Sequence, residues 1–336
     1  MTFTESEKQK IREVAKLFAA QTEISVAKIE DGKPFFYGAL NSGNAVKTIE
    51  NHESLFEIGS ITKVLTASLL AKFVTEEELE VDSAINPLFP FEFRNGQTIT
   101  FQSLATHTSG LPRLPPNIAW RALFKRHGDP YEGCDYAALI DYLQNKMQLR
   151  KDRKISYSNL GVGLLGVALE KYANTPLNAL FQEKIFSPFK MAQSSMVKDA
   201  AGKFVQGLDK KGNPCASWDL GYFAGAGAML SSTSDLAKFV LANQEHQYPF
   251  LEYQRRPVIN EKYESIALGW FILNEANKSN PLYFHNGGTA GFSSALLIDI
   301  EEKRAFIALS NISGLHKIKG QKVDQLVFQL MHRNNG

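Results

Sequence analysis

The sequence is poor in the residues that staple a protein together. Its 336 residues include two cysteines, Cys134 and Cys215. That is too few for a disulfide framework, and they lack the C-x-x-C spacing of a structural zinc site, so both are read as buried thiols packing as small hydrophobes. An excess of either charge is also missing. Lys and Arg number 37 against 35 Asp and Glu, a net charge of +2, and no long run of one sign offers a face for phosphates. Nucleic acid is therefore excluded as a partner. No stretch approaches the roughly 20 consecutive apolar residues that span a bilayer, and none expected to cross one is found. The first residues, MTFTESEKQKIREVAKLFAAQTEIS, carry acids where an export leader carries a basic segment. The expectation is a cytoplasmic protein, or a periplasmic or secreted one whose leader has been removed. Internal repeats and low-complexity segments are likewise missing.

What is there is ordinary globular material: 44% apolar and 21% charged residues. A chain of this length corresponds to two domains of about 150 residues or one large unit. Ile11, Val14, Leu17 and Phe18 fall at helical spacing within residues 5–20, and two strand-like runs, Glu23–Ile29 and Phe35–Ala39, meet at Asp31-Gly32 as a hairpin. From about residue 60 to 200 the pattern is mainly helical, with proline-rich breaks at Pro87–Pro90 and Leu111–Pro116. Strand-like runs return at Ala267–Leu273, Leu282–His285, Ser294–Asp299 and Arg304–Ser310, with Glu301-Glu302-Lys303 as the last turn and Lys317–His332 as a closing amphipathic helix. Strands at both ends around a helical middle predict an α/β (α+β) fold: an antiparallel sheet built from both termini, flanked by helices, with a mainly helical insertion. The expected division is residues 1–60 plus 205–336 against 61–204, with a small-molecule cleft between.

Three short segments carry possible chemistry. Ser60-Ile61-Thr62-Lys63 leads into the apolar helical run Val64–Val74, which sets a hydroxyl and an amine on one face of a helix start. Such an amine can take the hydroxyl proton, and the helix N-terminus favours negative charge. The same residues also read as a helix-capping serine and a solvated lysine. Two further S-x-x-K occurrences, Ser187–Lys190 and Ser195–Lys198, lead into no long apolar helix and are incidental. Tyr157-Ser158-Asn159 precedes the helical run Val162–Tyr172; its phenol and carboxamide two residues apart serve proton transfer and orientation, or simply form a polar capping turn. His285-Asn286-Gly287-Gly288 closes a strand-like run, where glycines mark close backbone approach and a free amide could join that of Ser60 as an oxyanion hole.

Other motifs lose the comparison. Gly161-x-Gly163-x-x-Gly166 matches a dinucleotide fingerprint but follows a polar turn rather than a strand end. His52-Glu53 lacks the second histidine of a zinc hydrolase, and no G-x-S-x-G occurs.

Taken together, the order and spacing of S-x-x-K, Y-x-N and H-x-G resemble the penicillin-recognising serine hydrolases, in particular the branch holding class C β-lactamases, D-alanyl-D-alanine carboxypeptidases and related carboxylesterases. Ile99–Pro112 and Gly225–Phe239 add to the likeness, which runs from about residue 50 to 312. It implies a β-lactamase/transpeptidase-like fold and acyl transfer through a serine ester on small amides or esters, without a cofactor or metal. Ser60 is then the nucleophile, Lys63 and Tyr157 the proton relay, with the acylation base undecided between them. Asn159 positions Lys63 and the substrate, while His285, Gly287 and Gly288 bind substrate, with Gly288 and Ser60 supplying oxyanion amides. His107, in the THTSG segment, is structural in relatives of this kind. The pocket walls are expected from the loops Arg113–Tyr131 and Gly202–Tyr222, which no motif constrains. One departure is visible: His285 stands where β-lactamases carry lysine, so binding of anionic substrates is expected to be weaker and to strengthen as pH falls through the histidine's titration. That favours a peptidase or esterase; the alternative is a penicillin-binding or sensor protein that acylates with little turnover. The oligomeric state is left open.

Overall fold

The computed structural model describes residues 2–124, 129–197, 203–260, 264–274, 280–315 and 320–332. Its first helix, α1 (Glu5–Lys16), starts where the sequence chemistry puts it. Thr4 accepts from the Glu7 amide and the Glu7 carboxylate accepts from the Thr4 amide, which satisfies two otherwise orphaned donors. The chain then forms the expected hairpin, β1 (Glu23–Glu30) and β2 (Lys33–Asn41), through a two-residue turn in which Asp31 and Gly32 both have positive φ. β3 (Val46–Ile49) extends its outer edge.

A short strand, β4 (Phe56–Glu57), pairs with β5 (Leu230–Ser231), fastening the chain on either side of the helical middle. The C-terminal strands are β6 (Glu264–Ile266), β7 (Phe271–Leu273), β8 (Leu282–Gly288), β9 (Ser293–Asp299) and β10 (Arg304–Ser310). All neighbours are antiparallel, in the order β3-β2-β1-β10-β9-β8-β7-β6, so early and late strands meet where β1 pairs with β10. The antiparallel sheet drawn from both ends, flanked by helices, is the fold expected from the sequence.

Residues 267–273, read as one strand, prove to be a turn followed by β7. Gly269 adopts φ +72, and a Cβ there would lie 2.8 Å from the Ala67 side chain and 2.9 Å from the Lys63 carbonyl. The run is apolar because it packs against a helix, not because it is extended. The closing helix spans Gly320–Met331, and residues 317–319 of the expected one lie outside the described residues.

Both faces of the sheet are covered, and alternation sorts the side chains between two cores. Ile24, Val26, Leu297, Phe306 and Ala308 pack with α1 and the closing helix. Ala27, Ile29, Leu296, Ile298 and Ile307 pack against the helical side, which includes α2 (Thr62–Glu76) and the helix Asn159–Ala173. The glycines of the apparent dinucleotide fingerprint serve that packing: a Cβ on Gly166 would lie 3.2 Å from Gly225 Cα, and one on Gly163 2.9 Å from the Tyr222 carbonyl oxygen. Cys134 is buried and Cys215 half-buried, and both are free thiols.

Candidate active site

Ser60 lies on a single 3₁₀ turn, Gly59–Ile61, that runs straight into α2, rather than within the helix itself. Lys63 is the second residue of α2 and 1% exposed. Its Nζ lies 2.9 Å from Ser60 Oγ and donates to the Ala226 carbonyl at 2.7 Å. Burial, aided by the nearby Arg113 cation, holds the ammonium well below its ordinary value. Among the described residues no carboxylate forms an ion pair with it.

Tyr157 stands beside this pair. Burial pushes its phenol up to about 12, against the opposing pull of the neighbouring Ser60 hydroxyl and of Arg113. The ring is packed on several sides: Lys63 Nζ is 5.0 Å and Arg113 Cζ 5.1 Å from its centroid, His107 4.6 Å, and Phe271 stacks at 6.3 Å. His107 holds the turn that carries it. The His107 carbonyl accepts from the Ser156 amide and His107 Nδ1 accepts from the Ser158 amide at 3.2 Å. An imidazole used as an acceptor is neutral, and burial lowers its pKa to about 3. Ser158 then caps the helix Asn159–Ala173.

Asn159 departs from the expected geometry. Its Oδ1 is buried without a hydrogen-bond partner, so it takes no bond from Lys63. Asn159 instead lines the cleft together with Tyr131. Ala226, whose carbonyl sits opposite Ser60 across the amine, holds Lys63 in place.

β8 supplies the other wall. The Thr289 amide bonds the Phe292 carbonyl, which makes Thr289 and Phe292 a hydrogen-bonded pair and leaves the preceding pair, Gly288 and Ser293, non-bonded. The Gly288 N–H therefore points away from β9, towards the 3₁₀ turn. Contact there is very close: a Cβ on Gly287 would lie 2.1 Å from the Ile58 oxygen and 2.8 Å from the Ser60 nitrogen, and one on Gly59 (φ +50) 2.8 Å from the Gly288 nitrogen. Ser294 Oγ donates to the Ile58 carbonyl at 2.7 Å, pinning turn to sheet.

His285 overturns the pH expectation. It is 1% exposed, its Nδ1 lies 2.7 Å from the Asn286 carbonyl oxygen, and its Nε2 has no partner. Burial lowers its pKa to about 3, with the Lys63 charge adding to the effect. It stays neutral between pH 5 and 8 and cannot switch anion binding there.

The structure brings Ser60, Asn159 and Gly288 to one open cleft of about 310 Å³, walled by Tyr131, Trp218, Leu220 and Phe223. Lys63 and Tyr157 lie behind Ser60, and neither His285 nor Gly287 lines the cleft. Tyr131 and Trp218 belong to the two loops expected to form the walls, and their rings pack at 5.4 Å. No motif singles them out, because they meet only once the chain is folded. The other S-x-x-K serines stay apart: Ser187 is exposed, and Ser195 Oγ bonds the nearby Val197 carbonyl.

Comparison with known proteins agrees with this geometry. The Beta-lactamase family model matches residues 14–326. The chain belongs to the β-lactamase family. It is 25% identical over 321 residues to the D-alanyl-D-alanine-carboxypeptidase/endopeptidase AmpH of Escherichia coli K12, covering 88% of this chain and 80% of that one. Among solved structures it resembles the octameric penicillin-binding protein homologue from Pyrococcus abyssi (TM-score 0.80, 22% identity, 97% of this chain and 76% of that chain). It also resembles a β-lactamase/D-alanine carboxypeptidase from Pseudomonas syringae (TM-score 0.79, 19% identity, 98% of both chains). A serine hydrolase of the β-lactamase type is the enzyme class to which these findings assign it.

Proposed function

We propose that this chain hydrolyses small carboxylic esters or D-amino-acid peptides through an acyl-enzyme on Ser60, with β-lactams as poorer substrates. The observation that carries the reading is the Ser60 hydroxyl set 2.9 Å from a buried Lys63 amine, in a cleft that Gly288 also lines.

Lys63 is the acylation base and Tyr157 the acid. Their environments push the two groups apart in the useful direction: the amine is driven towards its neutral, proton-accepting form and the phenol is kept protonated. Ser60 Oγ bonds the substrate carbonyl carbon as its proton passes to Lys63 Nζ. The resulting oxyanion faces the amides of Gly288 and Ser60, and collapse expels the leaving group, which takes the Tyr157 proton; Lys63 then restores it. A water molecule, deprotonated by the same pair, releases the acyl group. Asn159 lines the cleft, and its Oδ1, which has no partner in the protein, is the acceptor for a substrate N–H. The neutral histidine at position 285 supports the ester and peptide side of the choice, because the lysine charge that β-lactamases hold there is missing.

Mass spectrometry after incubation with p-nitrophenyl butyrate, a D-alanyl-D-alanine peptide and nitrocefin tests the reading. Turnover of the ester or peptide with a higher kcat/KM than nitrocefin is expected, and Ser60→Ala should lose both turnover and every covalent adduct. An adduct that persists in Ser60→Ala refutes the nucleophile. A lasting adduct on the native enzyme without product would instead mark a penicillin-binding sensor.

A further inference from the structure

Three candidates outside the proposed chemistry stand out. The buried cluster of Glu7, Lys28, Glu30 and Arg304 ties α1 to the sheet and is internally neutralised. The Asn286–Asp324 bond joins β8 to the closing helix on the sheet face opposite His285, and the two side chains partner each other. The third is Arg113, and it has a consequence for substrate choice.

Arg113 is exposed, yet its backbone is fixed. Its carbonyl accepts from the amides of Asn159 and Leu160 at 3.1 and 3.2 Å, and the preceding Pro112 carbonyl accepts from Ser158 Oγ at 2.7 Å. The side chain therefore starts beside the first turn of the helix Asn159–Ala173, next to Asn159, which lines the cleft. Its guanidinium carbon lies 5.1 Å from the Tyr157 ring centroid. Among the described residues, the basic side chains in contact with that ring are Lys63, His107, His285 and Arg113. Lys63, His107 and His285 are buried. Arg113 is exposed, presents a planar guanidinium, and forms no ion pair among the described residues.

We propose that Arg113 is the carboxylate anchor of this cleft, its guanidinium binding an anionic group of the substrate from the Tyr157 side in place of a cation at position 285. The inference rests on the Ser60 reading and adds a substrate class to it: esters or peptides that carry a free carboxylate near the scissile bond. A planar guanidinium offers such a carboxylate two parallel hydrogen bonds, which a lysine cannot match.

The test compares benzylpenicillin with its methyl ester as acylating agents of the full chain, timed by mass spectrometry, in native protein, Arg113→Gln and Arg113→Lys. Loss of a charge-assisted pair predicts that Arg113→Gln slows acylation by benzylpenicillin about tenfold or more, changes the methyl ester less than about twofold, and that Arg113→Lys recovers part of the difference. Equal effects on both compounds, or no effect on either, overturn the anchor. So does the absence of any penicillin adduct on a Ser60 that still reacts with a neutral fluorophosphonate. Failure of native Ser60 to take the fluorophosphonate overturns the acyl-enzyme reading itself, and the anchor with it.

Discussion

At the scale of single residues, the site works by withholding water from two groups in opposite senses. Desolvation disfavours charge, so it lowers Lys63 and raises Tyr157, pushing each towards the form the reaction needs. The pH profile of kcat/KM follows from the signs. Activity rises with pH as Lys63 loses its proton, and the falling limb from Tyr157 is displaced towards its value of about 12. A profile measured from pH 5 to 10 should climb to a plateau with no descending limb; a decline between pH 7 and 9 would show that Tyr157 does not stay protonated as described. Over the same range His285 contributes no titration, so competition by carboxylate ligands should not strengthen between pH 8 and 5. The sequence places the histidine correctly but conceals its burial. Its packing against Tyr157 joins elements far apart in the chain.

At the scale of elements, the catalytic geometry depends on how closely β8 approaches the 3₁₀ turn. The approach needs a residue without a side chain at position 287. Gly287→Ala would drive a methyl group into the Ile58 carbonyl and separate the Gly288 amide from Ser60. Overpacking of this kind costs about 1–3 kcal/mol, and losing one oxyanion donor costs about 10²–10³ in rate. The variant should therefore show a lowered thermal midpoint together with a kcat reduced by at least about a hundredfold and a KM much less affected; native kcat would dissociate the contact from catalysis. This contact is half legible in the sequence. Two adjacent glycines after a strand signal close approach, but not what approaches. The hairpin, the late strands and the closing helix are legible because periodicity and turn residues are local. Residues 267–273 mislead because an apolar run looks the same whether extended or bent against a helix. Arg113, Tyr131 and Trp218 carry no local signal at all.

At the scale of the molecule, the same buried imidazoles make stability depend on acid. His107 and His285 have folded pKa values of about 3 and unfolded ones near 6.5, so between those limits the unfolded chain binds more protons. Their contribution is fully present above about pH 6.5 and drains away as pH falls towards 3, on the order of a few kcal/mol for each. Urea midpoints should fall steeply from pH 7 to pH 4, and His285→Gln should flatten the slope; an unchanged slope would mean that the imidazole is protonated in the folded state. The sheet itself has a consequence for how the protein is made. β1 pairs on one side with β2, which leaves the ribosome immediately after it, and on the other with β10, which emerges only after the whole helical middle has been made. At about 5–20 residues per second, the nascent hairpin waits many seconds with one edge open. Through that interval its unpaired backbone is a template for wrong partners, and the chain depends on dilution or chaperones until the strand that completes it arrives.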